Sequence, residues 1–215
     1  DWRDEFVTTK PIQLERSTAP YEPPDTLTGQ VGIEFMQNII LAKGYGPFGR
    51  TEEEVIADTV TQLAEVTAHD LYDTPDIIIL EEWDNDDIRN YANTVAATVY
   101  RHSIPGMEGE IFILHDILNG NQEERLPELE TLAEIYRNYR DDTLQIPVPA
   151  FLAKEHLDLI NSYHAIHKDI EAMTLALDDP AQTLLRLKRY EDDATGLAYS
   201  FQNMFEALWE YADLF

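Results

Sequence analysis

From residue 25 onward, apolar side chains recur every three or four positions, the interval that gives a helix one dry face. Val31, Phe35 and Ile39 lie four apart and Ile40 broadens their face, predicting a helix over 28–43 with Gly44 as its C-cap. Tyr45-Gly46-Pro47-Phe48-Gly49 reads as a tight turn. Thr51 followed three residues later by Glu54 has capping-box spacing, and Val55, Val60, Leu63 and Val66 carry that helix to about residue 69. Asp84 is placed to cap a helix over 85–102 that turns Ile88, Tyr91, Ala92, Val95 and Val99 inward. Pro105 and Gly106 break the chain before a shorter helix over 108–119, ended by Gly120. Pro127 suits a first helical turn, and Leu129, Leu132, Ile135, Tyr136 and Tyr139 trace the apolar side to about residue 142. After Pro147-Val148-Pro149, a stripe from Leu152 through Leu157, Ile160, Tyr163, Ile166, Ile170 and Met173 predicts a long helix over 150–177. Asp179 is the expected N-cap and Pro180 the first residue of a final helix over 180–214. Its stripe is Leu184, Leu187, Tyr190, Ala194, Leu197, Phe201, Met204, Leu208 and Tyr211, with Gly196 permitting close packing or a bend.

Two stretches escape this period. Residues 1–24 carry Pro11, Pro20, Pro23 and Pro24 in a polar context, which fixes extended backbone and removes amide donors. The short run Ile77-Ile78-Ile79-Leu80 reads as a brief strand or a buried extended segment. Helices joined by short turns pack antiparallel. The expected fold is therefore all-α: an irregular antiparallel bundle of about six or seven helices over 25–215, preceded by an extended proline-rich arm over 1–24. No fixed-period repeat points to a solenoid.

Charge changes the picture most. Forty-two Asp and Glu stand against fifteen Lys and Arg, a net charge of −27. Such a surface repels nucleic-acid phosphates and anionic lipid headgroups, so no nucleic-acid partner is expected. It serves either as a solvated surface that maintains solubility or as a docking face for a basic protein. The absence of cysteine excludes disulfides, thiolate metal sites and cysteine nucleophiles. No apolar run reaches the roughly 18 residues that span a bilayer. A chain opening on Asp1 suggests that a signal peptide, a membrane anchor or an initiator has been removed, so membrane contact is expected only through such an anchor.

His164, His167 and Glu171 fall three and four apart, which places three potential zinc or iron ligands on one helical face, with His156 two turns earlier. Histidines between apolar stripe positions more often serve packing and hydrogen bonding. No histidine has Glu three residues before it, against a ferritin-like di-iron site, and no His-Glu-x-x-His occurs. The acidic run 81–87 suggests calcium, but an EF-hand loop begun at Asp84 would place Arg89 and Val95 where Gly and Glu are required. A charged helix N-terminus explains the run without a ligand. Gly44, Gly46 and Gly49 lack the Walker Lys-Ser/Thr, since Arg50 and Thr51 follow. Lys188 and Arg189 sit four residues before Asp192 and Asp193, the spacing of intrahelical ion pairs. No nucleophile elbow or dinucleotide fingerprint is present, and no cofactor is implied.

Leu27-Thr28-Gly29 opening a helix, Tyr45-Gly46-Pro47-Phe48-Gly49, Ile146-Pro147-Val148-Pro149 and Leu187-Lys188-Arg189-Tyr190-Glu191-Asp192-Asp193 occur in an order that resembles a family of uncharacterised helical proteins from small-genome, uncultivated bacteria. The resemblance implies an N-terminal hydrophobic anchor, a proline-rich spacer and a helical exterior domain. It supplies no catalytic residue. The expected function is a non-enzymatic extracytoplasmic structural or protein-interaction domain, possible alternatives being a metal-binding helical protein or enzyme that uses His164, His167 and Glu171, and a soluble acidic module for a basic protein partner.

Overall fold

A computed structural model describes residues 24–44, 51, 53, 54, 57–59, 61, 70–120 and 122–215. The fold is all-α. Its helices are α1 (Leu27–Gly44), α2 (Asn85–His102), α3 (Glu110–Gly120), α4 (Leu126–Leu144), α5 (Ala153–Met173) and α6 (Pro180–Leu208). Residues 53, 54, 57–59 and 61 are helical as well. The expected arm and most of the expected helix over 51–69 lie outside the described residues.

Short polar side chains cap the starts of α1, α2, α6 and the helical residues after Thr51, whereas α4 and α5 follow 3-10 turns without a side-chain cap. Asp84 accepts from the amides of Asp86 and Asp87 at 2.8 and 3.1 Å, and Asp87 returns a bond to the Asp84 amide at 3.0 Å. Thr51 and Glu54 form the same reciprocal box at 3.2 and 2.8 Å. Each box satisfies amides that the first helical turn leaves without carbonyl partners. Asp179 caps α6 through the Gln182 amide at 3.5 Å, and it also accepts from Leu27 N, Thr28 N and Thr28 Oγ1 at 2.6, 2.9 and 2.6 Å. One carboxylate thus caps two helices 151 residues apart in sequence. Burial alone would raise its pKa; the hydrogen bonds from Thr28, Leu27 and Gln182 outweigh that and hold it below the usual carboxylate range.

The bundle is assembled around α5, which packs against α4 on one side and α6 on the other. His167 meets Ala133 and His164 meets Arg140, so α5 runs antiparallel to α4. Thr183 meets Ala172 and Ser200 meets Ser162, so α6 runs antiparallel to α5. The larger core draws Ile113, Leu129, Leu159, Tyr163, Ile166 and Ile170 from α3, α4 and α5. A second core of Ile77, Tyr91, Ile146, Val148, Leu152 and Ile160 lies toward the other end of α5. Truncating such a buried leucine or isoleucine to alanine costs about 2–5 kcal/mol.

The expected strand-like run exists and has a partner. Ile79 and Leu80 (β1) pair in parallel with Val148 and Pro149 (β2), and Val148 N donates to Ile78 O at 2.8 Å. Pro149 cannot donate to a ladder, which keeps the pairing this short. The long helix expected over 150–177 is instead a 3-10 turn, Ala150–Leu152, followed by α5 and further turns. The final helix becomes a 3-10 helix, Trp209–Leu214, after Leu208. Three expected core residues face water: Ile40, Leu184 and Phe201 are 63, 67 and 41% exposed. Arg125, between α3 and α4, binds Asp116, Glu108 and Glu128 at 2.5, 2.6 and 2.8 Å, so one guanidinium offsets three carboxylates.

Asp179→Ala is expected to lower unfolding stability by about 2 kcal/mol, since it strips the cap from α1 and α6 together. Urea denaturation at neutral pH checks this; an unchanged midpoint would show that neither helix start depends on the carboxylate.

Candidate functional site

The helix α5 brings His164 and His167 together, with ring centroids 6.5 Å apart. Both side chains are spoken for. Arg140 Nη1 stands 3.0 Å from His164 Nδ1; a guanidinium only donates, so that nitrogen is the acceptor. Tyr72 closes the other side of His164, edge-on at 5.5 Å between centroids. His167 Nδ1 lies 2.9 Å from the Ala133 carbonyl and donates to it, and burial lowers its pKa. Glu171 is exposed and takes Lys168 Nζ at 2.7 Å. His156 belongs to the second core, with Nδ1 3.0 Å from the Tyr91 hydroxyl, Nε2 without a protein partner, and a pKa pushed down to about 4 by burial. Among the described residues, no group of three or more His, Asp or Glu side chains is placed to hold a metal ion. The acidic run 81–87 is likewise engaged locally: Asp84 and Asp87 cap α2, and Asp86 binds Arg89 at 2.6 Å.

The periodicity gave no hint of a buried carboxyl group at the α5–α6 contact. Asp169 is 0% exposed, and neither of its oxygens has a hydrogen-bonded partner that meets geometric criteria. Arg186 Nη1 is 3.8 Å from its Oδ1, and Arg189 Nε is 3.8 Å from Asp193 Oδ2. Burial first, then the neighbouring carboxyl group of Asp193, push Asp169 up to about 8, against the pull of Arg186 and Arg189. The signal that could have found it is its place beside the stripe: Asp169 falls three residues after Ile166 and four before Met173, the spacings of helical neighbours.

Cavities flank this region. One of about 620 Å³ is lined by Tyr72, His164, Lys168, Gln182 and Arg186, among others. Another of about 410 Å³ is lined by Asn161, Ser162, Arg189, Asp193 and Ser200, among others. The strap at 70–76 lies over them, clamped where Asn161 accepts from Tyr72 N at 2.8 Å and donates to Tyr72 O at 3.1 Å. These groups answer one another within the fold.

An apolar groove lies elsewhere on the surface. Ser200 is opposite Ser162 and the Asp158 carbonyl, and the helices run antiparallel, so α6 outruns the start of α5 at Ala153 after about residue 205. Beyond that point Phe205, Trp209 and Phe215 are 61, 65 and 62% exposed. With Ala92 and Ala96 of α2 and Leu208 they line a groove of about 390 Å³. Phe205 and Trp209 rings stack at a tilt, 5.5 Å between centroids. Arg89 Nε donates to the Leu214 carbonyl at 3.0 Å, which ties the last turn to α2 and fixes the far wall.

No family model matches the chain, and no curated protein and no solved structure matches it. Among the described residues, no helix is long and apolar enough to cross a membrane.

A pH profile isolates the Asp169 carboxyl. A folded-state pKa raised to about 8 means that the native protein holds a proton the unfolded chain releases, so this group makes stability fall as pH climbs from the carboxylate range toward 8 and no further above it. Between pH 7 and 8 the loss from this group is expected to be roughly 1 kcal/mol. Asp169→Asn should flatten that interval in urea denaturation; a slope equal to that of the native protein would rule out a proton held at this position.

Proposed function

We propose that the chain is a non-enzymatic protein-interaction domain that receives a helix of a partner protein in the groove between α2 and the end of α6. The single observation behind this reading is the set of three exposed aromatic side chains, Phe205, Trp209 and Phe215, arranged against the small side chains Ala92 and Ala96. Aromatic side chains left in water forgo about 25 cal/mol for each Å² they could bury. Clustered exposed aromatics mark contact surfaces. Alanines opposite them leave the depth that an incoming helix needs, the helix-in-groove mode of recognition. The buried histidines and carboxylates are engaged in packing and internal contacts, which favours recognition over catalysis. A second copy is a poor occupant, since each copy carries a net charge of −27.

The proposal extends to location. A strongly acidic, cysteine-free domain preceded by a proline-rich spacer suits exposure outside the cytoplasmic membrane. Protease accessibility in intact cells separates that placement from a cytosolic one.

A synthetic amphipathic helix of about 18 residues, Leu on one face and Gln on the other, serves as a minimal occupant. It is expected to shift the NMR amide signals of Ala92, Ala96 and Trp209, and Trp209→Ala is expected to weaken its binding at least about tenfold. Because Trp209 is exposed, the variant should melt within a few degrees of the native protein, about 0.5 kcal/mol at most. Shifts confined to other faces, or binding indifferent to Trp209→Ala, would sink the docking role.

A further inference from the structure

The charges around the groove are one-sided. Residues 190–215 contain no Lys, Arg or His, while Glu206, Glu210 and Asp213 are interleaved with the aromatic wall. Glu206 follows Phe205, and Glu210 follows Trp209. Phe205 and Glu206 are neighbours on the last turn of α6, and Trp209 and Glu210 open the 3-10 helix that follows, so an acidic ridge runs beside the aromatic one. Both glutamates are exposed. Glu206 accepts from Gln202 at 2.8 Å, a neutral partner that leaves its charge uncompensated.

The opposite wall adds no free cation. Along 85–100 of α2 the one basic residue is Arg89, and its guanidinium binds Asp86 at 2.6 Å and the Leu214 carbonyl at 3.0 Å. The α6 side of the apolar trough is therefore flanked by carboxylates, and its α2 side is neutral apart from the engaged Arg89.

Resting on the reading of this groove as the docking face, the geometry points to a cationic amphipathic helix of a partner protein as its occupant. Its apolar side chains recur every three or four residues and enter between Phe205, Trp209 and the Ala92–Ala96 floor. Its Lys or Arg side chains, four apart on one flank, reach the Glu206–Glu210 ridge. Desolvation by the aromatic wall strengthens those pairings relative to ones in open water. The acidic ridge also sets selectivity: an equally apolar helix with acidic flanks is rejected, and so are anionic lipid surfaces.

Three versions of the same peptide test this: Leu on one face, with Gln, Lys or Glu on the flanks. Affinity is read by calorimetry and location by NMR. The Lys version is expected to bind at least about tenfold more tightly than the Gln version in low salt, which is about 1.4 kcal/mol. Raising salt from about 0.05 to 0.5 M should remove most of that advantage. The double variant Glu206→Gln/Glu210→Gln should erase the advantage and leave the Gln peptide unaffected. These residues are exposed, so the variant is expected to fold, and its melting curve verifies that. Equal affinity of the Lys and Gln versions, both lost in Trp209→Ala, overturns the cationic occupant while the groove stands. Binding of no version at the groove overturns the docking role itself. Trp209-dependent self-association in sedimentation, or Trp209-dependent adhesion to phosphatidylglycerol vesicles, replaces the partner helix with a second copy or a lipid surface and overturns the inference.

Discussion

The helix α5 is enclosed nearly all round, and the rest of the molecule is arranged to make that tolerable. Twelve of its 21 residues are buried, including His156, His164, His167 and Asp169. A helix in this position satisfies its backbone internally, but every polar side chain it carries must be answered by a neighbour or bear the desolvation cost. The neighbours answer. Tyr91 meets His156, Arg140 meets His164 and the Ala133 carbonyl meets His167. Asn161 in turn reaches outward and fastens the strap at Tyr72. Asp169, like the Tyr163 hydroxyl and His156 Nε2, has no hydrogen-bonded partner; Arg186 stands 3.8 Å from it, and burial raises its pKa.

This enclosure explains which parts of the fold were legible. Helix starts were readable because caps are local chemistry: Asp84, Thr51 and Asp179 each act within three residues. The stripe Ile160, Tyr163, Ile166, Ile170 and Met173 was readable because it follows one face. What the periodicity could not convey is that α5 keeps only a narrow wet stripe, through Lys154, Asp158 and Glu171. Leu159, Ala165 and Ala172 are buried as well, between the stripe positions. The same circumstance gives His164, His167 and Glu171 separate protein partners. The two rings are drawn to separate partners on α4, and Glu171, at the more open end, takes Lys168. The second role of Asp179, with Leu27 and Thr28, depends on contacts across 151 and 152 residues that no local pattern encodes.

The groove was hidden for the opposite reason. Phe201, Leu208 and Tyr211 belong to a regular apolar stripe, and such a stripe implies burial only where something lies against it. The α6 helix has 29 residues and α5 has 21, so the two cannot cover one another end to end. At about 1.5 Å per residue the difference is roughly 12 Å of helix. Toward that overhang the stripe breaks: Met204 stays buried on the second core, while Phe205 and Trp209 turn to water beside it. The second core covers the face of Met204, Ala207 and Leu208 and leaves the face of Phe205 and Trp209 open, a division that periodicity does not report.

The clasp between Arg89 and the Leu214 carbonyl has a practical corollary for handling the protein. It seats the terminal carboxyl end on the lip of the aromatic trough. Whatever is covalently joined after Phe215, whether more chain, a purification handle, a dye or a solid support, emerges beside that trough and shades it.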